Sequence, residues 1–178
     1  MKTKQLILVA LFAALIAIAA QISIPIGPVP ITLQAPMVIL AGCLLGPRYG
    51  VMSVGVYILL GLIGIPVFAG GSGGFASIVS PSFGFILGFL PLAMFAGIAA
   101  QPERSVVMSG VIVSLGVLVL FTIGLVYFYF VMNYVVMTPV NLTKAIGFTV
   151  TPFILKDLIV AVCTIAFSRV LVRRGVHA

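Results

Sequence analysis

Hydrophobic residues run through this chain in long blocks, and the breaks between blocks are made by glycine, proline and a few charges. Hydropathy with this punctuation predicts helical spans over residues 5–24, 33–45, 50–65, 83–100, 105–134 and 152–172. The first stops at Pro25-Ile26-Gly27-Pro28-Val29-Pro30, where three prolines forbid continuous helix. The short second span ends at Gly46-Pro47-Arg48 and the third at Pro66. Residues 67–81, which include Gly70-Gly71-Ser72-Gly73-Gly74, are too irregular to cross a membrane. The more polar stretch 135–150 is expected to hold a short interfacial helix.

Composition turns these blocks into a class. Of 178 residues, 63% are hydrophobic and 6% charged, so the chain cannot clothe itself in polar groups as a soluble domain does. A bilayer core needs roughly 20 apolar residues per helix, and six such spans fit this length. The expected fold is an all-α integral membrane protein of six transmembrane helices, forming one domain over residues 1–178. The basic, apolar start resembles a signal peptide, and Ala17-Ile18-Ala19 resembles a cleavage site. Because the apolar run continues to Ile24, this segment is expected to stay as the first helix.

The net charge of +7 is strung between the hydrophobic runs instead of gathered on one face, which argues against nucleic acid as a partner. Read as topology markers, Lys2, Lys4, Arg48, Arg104, Arg169, Arg173 and Arg174 all fall inside when both the N-terminus and the C-terminus are cytoplasmic. Lys144 and Lys156 are the exceptions. The Pro-rich and Gly-rich loops then lie on the outer face, with the start of the sixth helix.

Catalytic and nucleotide-binding signatures are missing. There is no GxxxxGK[ST] loop, GxSxG or HExxH; His177 lies in the terminal tail; Cys43 and Cys163 have no metal or redox spacing. Enzyme activity, a metal site and a resident cofactor are therefore not expected. Instead, unusual residues gather near the outer end. Asp157 is the only acid besides Glu103, and it adjoins Lys156 where the sixth helix begins. A charge in a membrane helix usually faces a cavity, partner or ligand. Both residues could equally be interfacial, the lysine snorkelling and the aspartate favoured by the helix dipole. Adjacent helical residues project about 100° apart, so the two need not pair.

The glycine loop, including Phe68, Gly73 and Gly74, is either a ligand-approaching segment or a flexible connector. Ser80, Phe83 and Phe85 bring hydroxyl and aromatic groups to the start of the fourth helix, and Gln34 offers a donor and an acceptor near the second. Ala10, Ala14 and Ala17, with Ala13 beside them, form a small-xxx-small surface for packing within the bundle or for docking another protein.

These residues, taken together, resemble the BioY family, the biotin-binding S components of energy-coupling factor (ECF) vitamin transporters. The resemblance is carried by Ile24-Pro25-Ile26-Gly27-Pro28-Val29-Pro30-Ile31-Thr32-Leu33-Gln34 and by residues 41–50 with Gly46-Pro47-Arg48-Tyr49-Gly50. Its most specific part is Gly64-Ile65-Pro66-Val67-Phe68-Ala69-Gly70-Gly71-Ser72-Gly73-Gly74, and it continues through residues 81–89, Pro152-Phe153-Ile154 and Asp157-Leu158. It implies biotin capture on the outside of a prokaryotic cytoplasmic membrane, with a transmembrane coupling subunit and two ATPase subunits as partners. It also implies ligand contacts in the glycine loop, at the head of the fourth helix and at Asp157, and a docking face at Ala10 and Ala14. Where many relatives carry a lysine one turn after the acidic residue, this chain has Val160, and Lys156 precedes Asp157 instead.

Biotin's chemistry matches these groups. Asp157 suits the ureido N–H groups. Ser80, Lys156 and the amides of Gly73 and Gly74 suit its oxygens, Gln34 is a further substrate-binding candidate, and Phe68, Phe83 and Phe85 suit its apolar ring and tail. The alternatives at this level are an S component for thiamine or riboflavin, and a facilitator that needs no partner.

Overall fold

The computed structural model describes residues 3–25 and 27–173, with side chains to residue 168. Lys2, Arg174, His177 and the side chains of Arg169 and Arg173 lie outside the described residues. Helix α1 (Thr3–Gln21) leads into the Pro-rich loop, which closes as a two-strand antiparallel ladder of β1 (Ser23–Ile24) and β2 (Ile31–Thr32), Ser23 opposite Thr32. Then come α2 (Gln34–Leu62), α3 (Phe83–Ala99), α4 (Val106–Phe130) with a wide turn at Val131–Val135, α5 (Leu142–Thr149) and α6 (Ile154–Arg173). Two short 3-10 turns, Ala69–Gly71 and Phe75–Val79, occupy the loop between α2 and α3. The amide of Lys144 donates to Asn141 Oδ1 at 2.9 Å and so caps α5, the short helix expected within residues 135–150.

Helical bonding covers α2 from Gln34 to Leu62, yet α2 is a hairpin and not a rod. Gly46, at φ 79° and ψ 173°, adopts a conformation essentially reserved for glycine, and Pro47 starts the return. Along a straight helix Gln34 and Tyr57 would stand about 35 Å apart at 1.5 Å per residue. Their side chains hydrogen-bond at 2.6 Å. Gly42 and Gly50 likewise meet across the reversal: a Cβ on Gly50 would lie 2.7 Å from Gly42 Cα. The second and third sequence blocks are thus the two arms, 34–45 and 47–62, joined without a loop.

Helix α3 packs between α2 and α4, α1 lies along α2, and α6 rests on α4 and α2. The α2–α3 crossing depends on glycine: a Cβ on Gly42 would sit 2.3 Å from the Ala93 carbonyl oxygen, and one on Gly97 2.3 Å from Pro47 N. Such close backbone approach replaces the hydrophobic drive that lipid cannot supply between helices. The core holds Val38, Val54, Tyr57, Leu92, Ala93, Val113 and Phe128, all without exposed surface, while Leu6, Ile7, Leu11, Val107, Val111 and Leu115 face outward. An apolar exterior of this kind suits lipid. Four segments are long and apolar enough to cross a membrane, namely Thr3–Gln21, Gln34–Leu62, Val106–Val135 and Leu142–Ser168; α3 is shorter.

The packing also sorts the ends of the bundle. Tyr49 Oη donates to Gln5 Oε1 at 2.8 Å, which brings the start of α1 to the hairpin tip, and Gly97 brings the end of α3 to Pro47. Lys4, Arg48 and Arg104 therefore share one end. Gln34, the glycine loop and the start of α6 share the other.

Candidate functional site

A cavity of about 200 Å³ opens at the end opposite Arg48. A single water needs on the order of 10–15 Å³ by a comparable measure, so this space suits a small molecule. Its walls come from segments far apart in sequence. Val29, Pro30, Thr32, Gln34 and Ala35 form one side; Phe68, Ala69, Ser72, Ser77, Ser80 and Ser82 come from the α2–α3 loop; Phe83, Phe85, Ile86 and Phe89 come from α3. Leu120 and Phe121 of α4 and Phe153, Lys156 and Asp157 at the head of α6 complete it.

The loop is held in place from several directions. Gln21 Nε2 donates to the carbonyls of Val67 and Phe68, each at 3.3 Å, and Phe68 N donates to Ser72 O at 3.0 Å. Gly74 N donates to Gly61 O at 2.7 Å, and Tyr127 Oη donates to Ile78 O. Phe68 fits over Gly61, where a Cβ would lie 2.1 Å from its ring. Edge-on aromatic contacts run within and behind the wall: Phe68 to Phe83 at 6.1 Å and Phe85 to Phe121 at 6.0 Å, with Tyr57 backing Phe68 at 5.5 Å. Ser80 and Ser82 hydroxyls bond each other at 3.0 Å, leaving further valences on both.

Charge enters the cavity at one place. Lys156 Nζ lies 2.8 Å from Asp157 Oδ1, an ion pair. Helical neighbours need not pair, and here they do: the flexible lysine stem swings its ammonium across the angular gap. Asp157 is 9% exposed, and its Oδ1 is buried with no hydrogen bond of proper geometry, the ammonium being close but misaligned. The Lys156 side chain is 38% exposed, so the pair reaches from the wall to the mouth.

Of the residues singled out from sequence, the cavity gathers Gln34, Phe68, Ser80, Phe83, Phe85, Lys156 and Asp157. It leaves out Gly73 and Gly74. A Cβ on Gly73 would meet Ile65 O at 2.5 Å, and Gly74 spends its N–H on Gly61, so these two pin the loop to the end of α2 and do not face the cavity. Ala10 and Ala14 are exposed on the outer side of α1, whereas Ala13 is buried against the bundle. Sequence reasoning missed Thr32, Ser72, Ser77, Phe121 and Phe153 in the walls, and Tyr57 behind them. For Tyr57 a signal existed: a phenolic hydroxyl within an apolar run needs a partner.

Residues 1–177 match the model of the BioY family. The chain belongs to that family. Among its relatives, the probable biotin transporter BioY of Pyrococcus horikoshii is 42% identical over 169 residues, covering 94% of this chain and 96% of the relative. The biotin transporter BioY of Thermotoga maritima is 40% identical over 159 residues and 88% of each chain. The crystal structure of the S-component for biotin from an ECF-type ABC transporter superposes with a TM-score of 0.78 at 35% identity, covering 97% of this chain and 92% of the other. This BioY-family fold therefore carries the cavity on a scaffold shared nearly end to end.

Proposed function

We propose that this chain captures biotin from outside a prokaryotic cytoplasmic membrane as the substrate-binding S component of an ECF-type ABC transporter. It is a transport protein and not an enzyme. The observation that carries the ligand assignment is the cavity's make-up. One buried carboxylate paired with an ammonium but without a well-aligned donor on Oδ1, a clamped carboxamide and several hydroxyls stand within apolar and aromatic walls. A ureido group offers two N–H donors and a carbonyl, biotin's thiolane and chain are apolar, and its tail ends in an acid. Asp157 receives ureido N–H; Gln34, Ser80 and Lys156 are available to its oxygens; Phe68, Phe83 and Phe85 enclose the carbon skeleton. A few placed polar groups in an apolar pocket give orientation and specificity.

In this reading six helices cross the membrane: α1, the two arms of α2, α3, α4 and α6, with both termini cytoplasmic. The clustering of Lys4, Arg48 and Arg104 at the end away from the cavity supports that sidedness. The exposed alanines of α1 are the docking face for the transmembrane coupling subunit, and two ATPase subunits supply the energy. Calorimetry on the purified protein in detergent tests the assignment. Saturable binding of biotin, with none of thiamine or riboflavin, is expected; absence of biotin binding refutes it.

A further inference from the structure

Gln34 is 4% exposed and lines the cavity, and its carboxamide is held on both atoms by residues outside its own arm of α2. Thr32 Oγ1, on β2, donates to Gln34 Oε1 at 3.0 Å, and Gln34 Nε2 donates to Tyr57 Oη, on the returning arm of α2, at 2.6 Å. A carboxamide has two N–H donors and two acceptor lone pairs. This clamp uses one of each, and because both partners are hydroxyls the same holds with the amide turned over, so it keeps one donor and one acceptor in a single plane. That remainder complements a ligand edge in which a carbonyl adjoins an N–H, as in a cyclic urea. It mismatches an edge of acceptors only, such as a carboxylate, or of donors only, such as a guanidinium.

Tyr57 has no exposed surface and is not part of the cavity wall. Its ring packs edge-on against Phe68 at 5.5 Å, a contact that phenylalanine would make equally well. The hydroxyl is a polar atom in an apolar bundle, costly there unless bonded. Its recorded bond is to Gln34, so its consequence falls on the orientation of that amide. We propose that Tyr57 is a positioning residue for ligand selection: with Thr32 it holds the Gln34 carboxamide so that one donor and one acceptor remain for a urea edge. This rests on the biotin reading above.

The test measures dissociation constants for biotin and for 2-iminobiotin, whose guanidinium presents donors only, using wild type, Tyr57→Phe, Gln34→Met and the double variant. Tyr57→Phe leaves the amide free to turn and is expected to weaken biotin about tenfold, the effect of one neutral buried hydrogen bond. The biotin to 2-iminobiotin preference falls with it, because a freed amide can offer its oxygen to donors. In the Gln34→Met background the Tyr57 change should add nothing. A merely structural role would weaken both ligands together and leave their ratio unchanged. Thr32→Val, alone and in the Gln34→Met background, provides a second route to the same readout should Tyr57→Phe not fold. If wild type binds biotin but the ratio stays constant in the variants, or the losses multiply in the double variant, the clamp is overturned alone. If wild type binds no biotin, the biotin reading falls and this inference with it.

Discussion

Replacing Asp157 with asparagine separates binding from folding at one atom. The carboxylate is buried beside the cavity, and its Oδ1 has an ammonium 2.8 Å away but no well-aligned donor. An incoming N–H supplies that missing donor. A hydrogen bond to a charged acceptor contributes about 1.5–3 kcal/mol against about 0.5–1.5 for a neutral one. Asparagine keeps the shape and one oxygen, so the loss is about 1–2 kcal/mol if that oxygen meets the ligand, and more if its amino group does. The expected result is roughly 5- to 30-fold weaker biotin binding by calorimetry. The unliganded protein should melt no lower than wild type. Breaking a buried ion pair normally costs several kcal/mol because a charge is stranded. Here the survivor is Lys156, 38% exposed at the mouth, whose ammonium can turn to water. Affinity within about twofold of wild type would refute a ligand-bonding role for Asp157; affinity and melting temperature falling together would refute the reasoning about the pair.

Gly61→Ala drives a methyl into the Phe68 ring, which a Cβ would approach to 2.1 Å, and should displace that wall at a cost of about 1–3 kcal/mol, seen as about 5- to 150-fold weaker biotin binding. Gly46→Ala puts a side chain on the glycine-only backbone of the α2 reversal and should lower thermal stability by about 1–3 kcal/mol, read by unfolding of the detergent-purified protein; unchanged melting would argue against the hairpin. Ala14→Trp on the exposed face of α1 should abolish biotin uptake into cells that contain the partner subunits while leaving the dissociation constant within about twofold, because it blocks close helix approach and not the cavity.

Much of the architecture was legible in the residue pattern. Blocks at 83–100, 105–134 and 152–172 coincide closely with Phe83–Ala99, with Val106–Phe130 and its terminal turn, and with Ile154–Arg173. The Gly46-Pro47-Arg48 break is where α2 turns back. The site was legible in part. Asp157, Gln34 and the aromatic head of α3 stood out because polarity or aromatic clustering is conspicuous in so apolar a chain. Thr32, Ser72 and Ser77 did not, since a hydroxyl between apolar runs is ordinary. Gly73 and Gly74 lie outside the cavity lining: glycine serves close backbone packing as readily as ligand approach, and here it packs against Ile65 and Gly61.

The sequence by itself determined where helices form. In lipid each segment must satisfy its own backbone hydrogen bonds, so an apolar run of sufficient length has few other structures open to it. Only the tertiary structure decided which polar groups meet. The bond between Gln34 and Tyr57 bridges 23 positions across a reversal at one glycine, and the Lys156 ammonium chose Asp157 among the directions its stem allows. Such contacts depend on side-chain reach and on the packing of α2 against α3, neither of which hydropathy encodes. The apolar blocks thus specify the scaffold, and the folding of α2 upon itself assembles the cavity's polar edge.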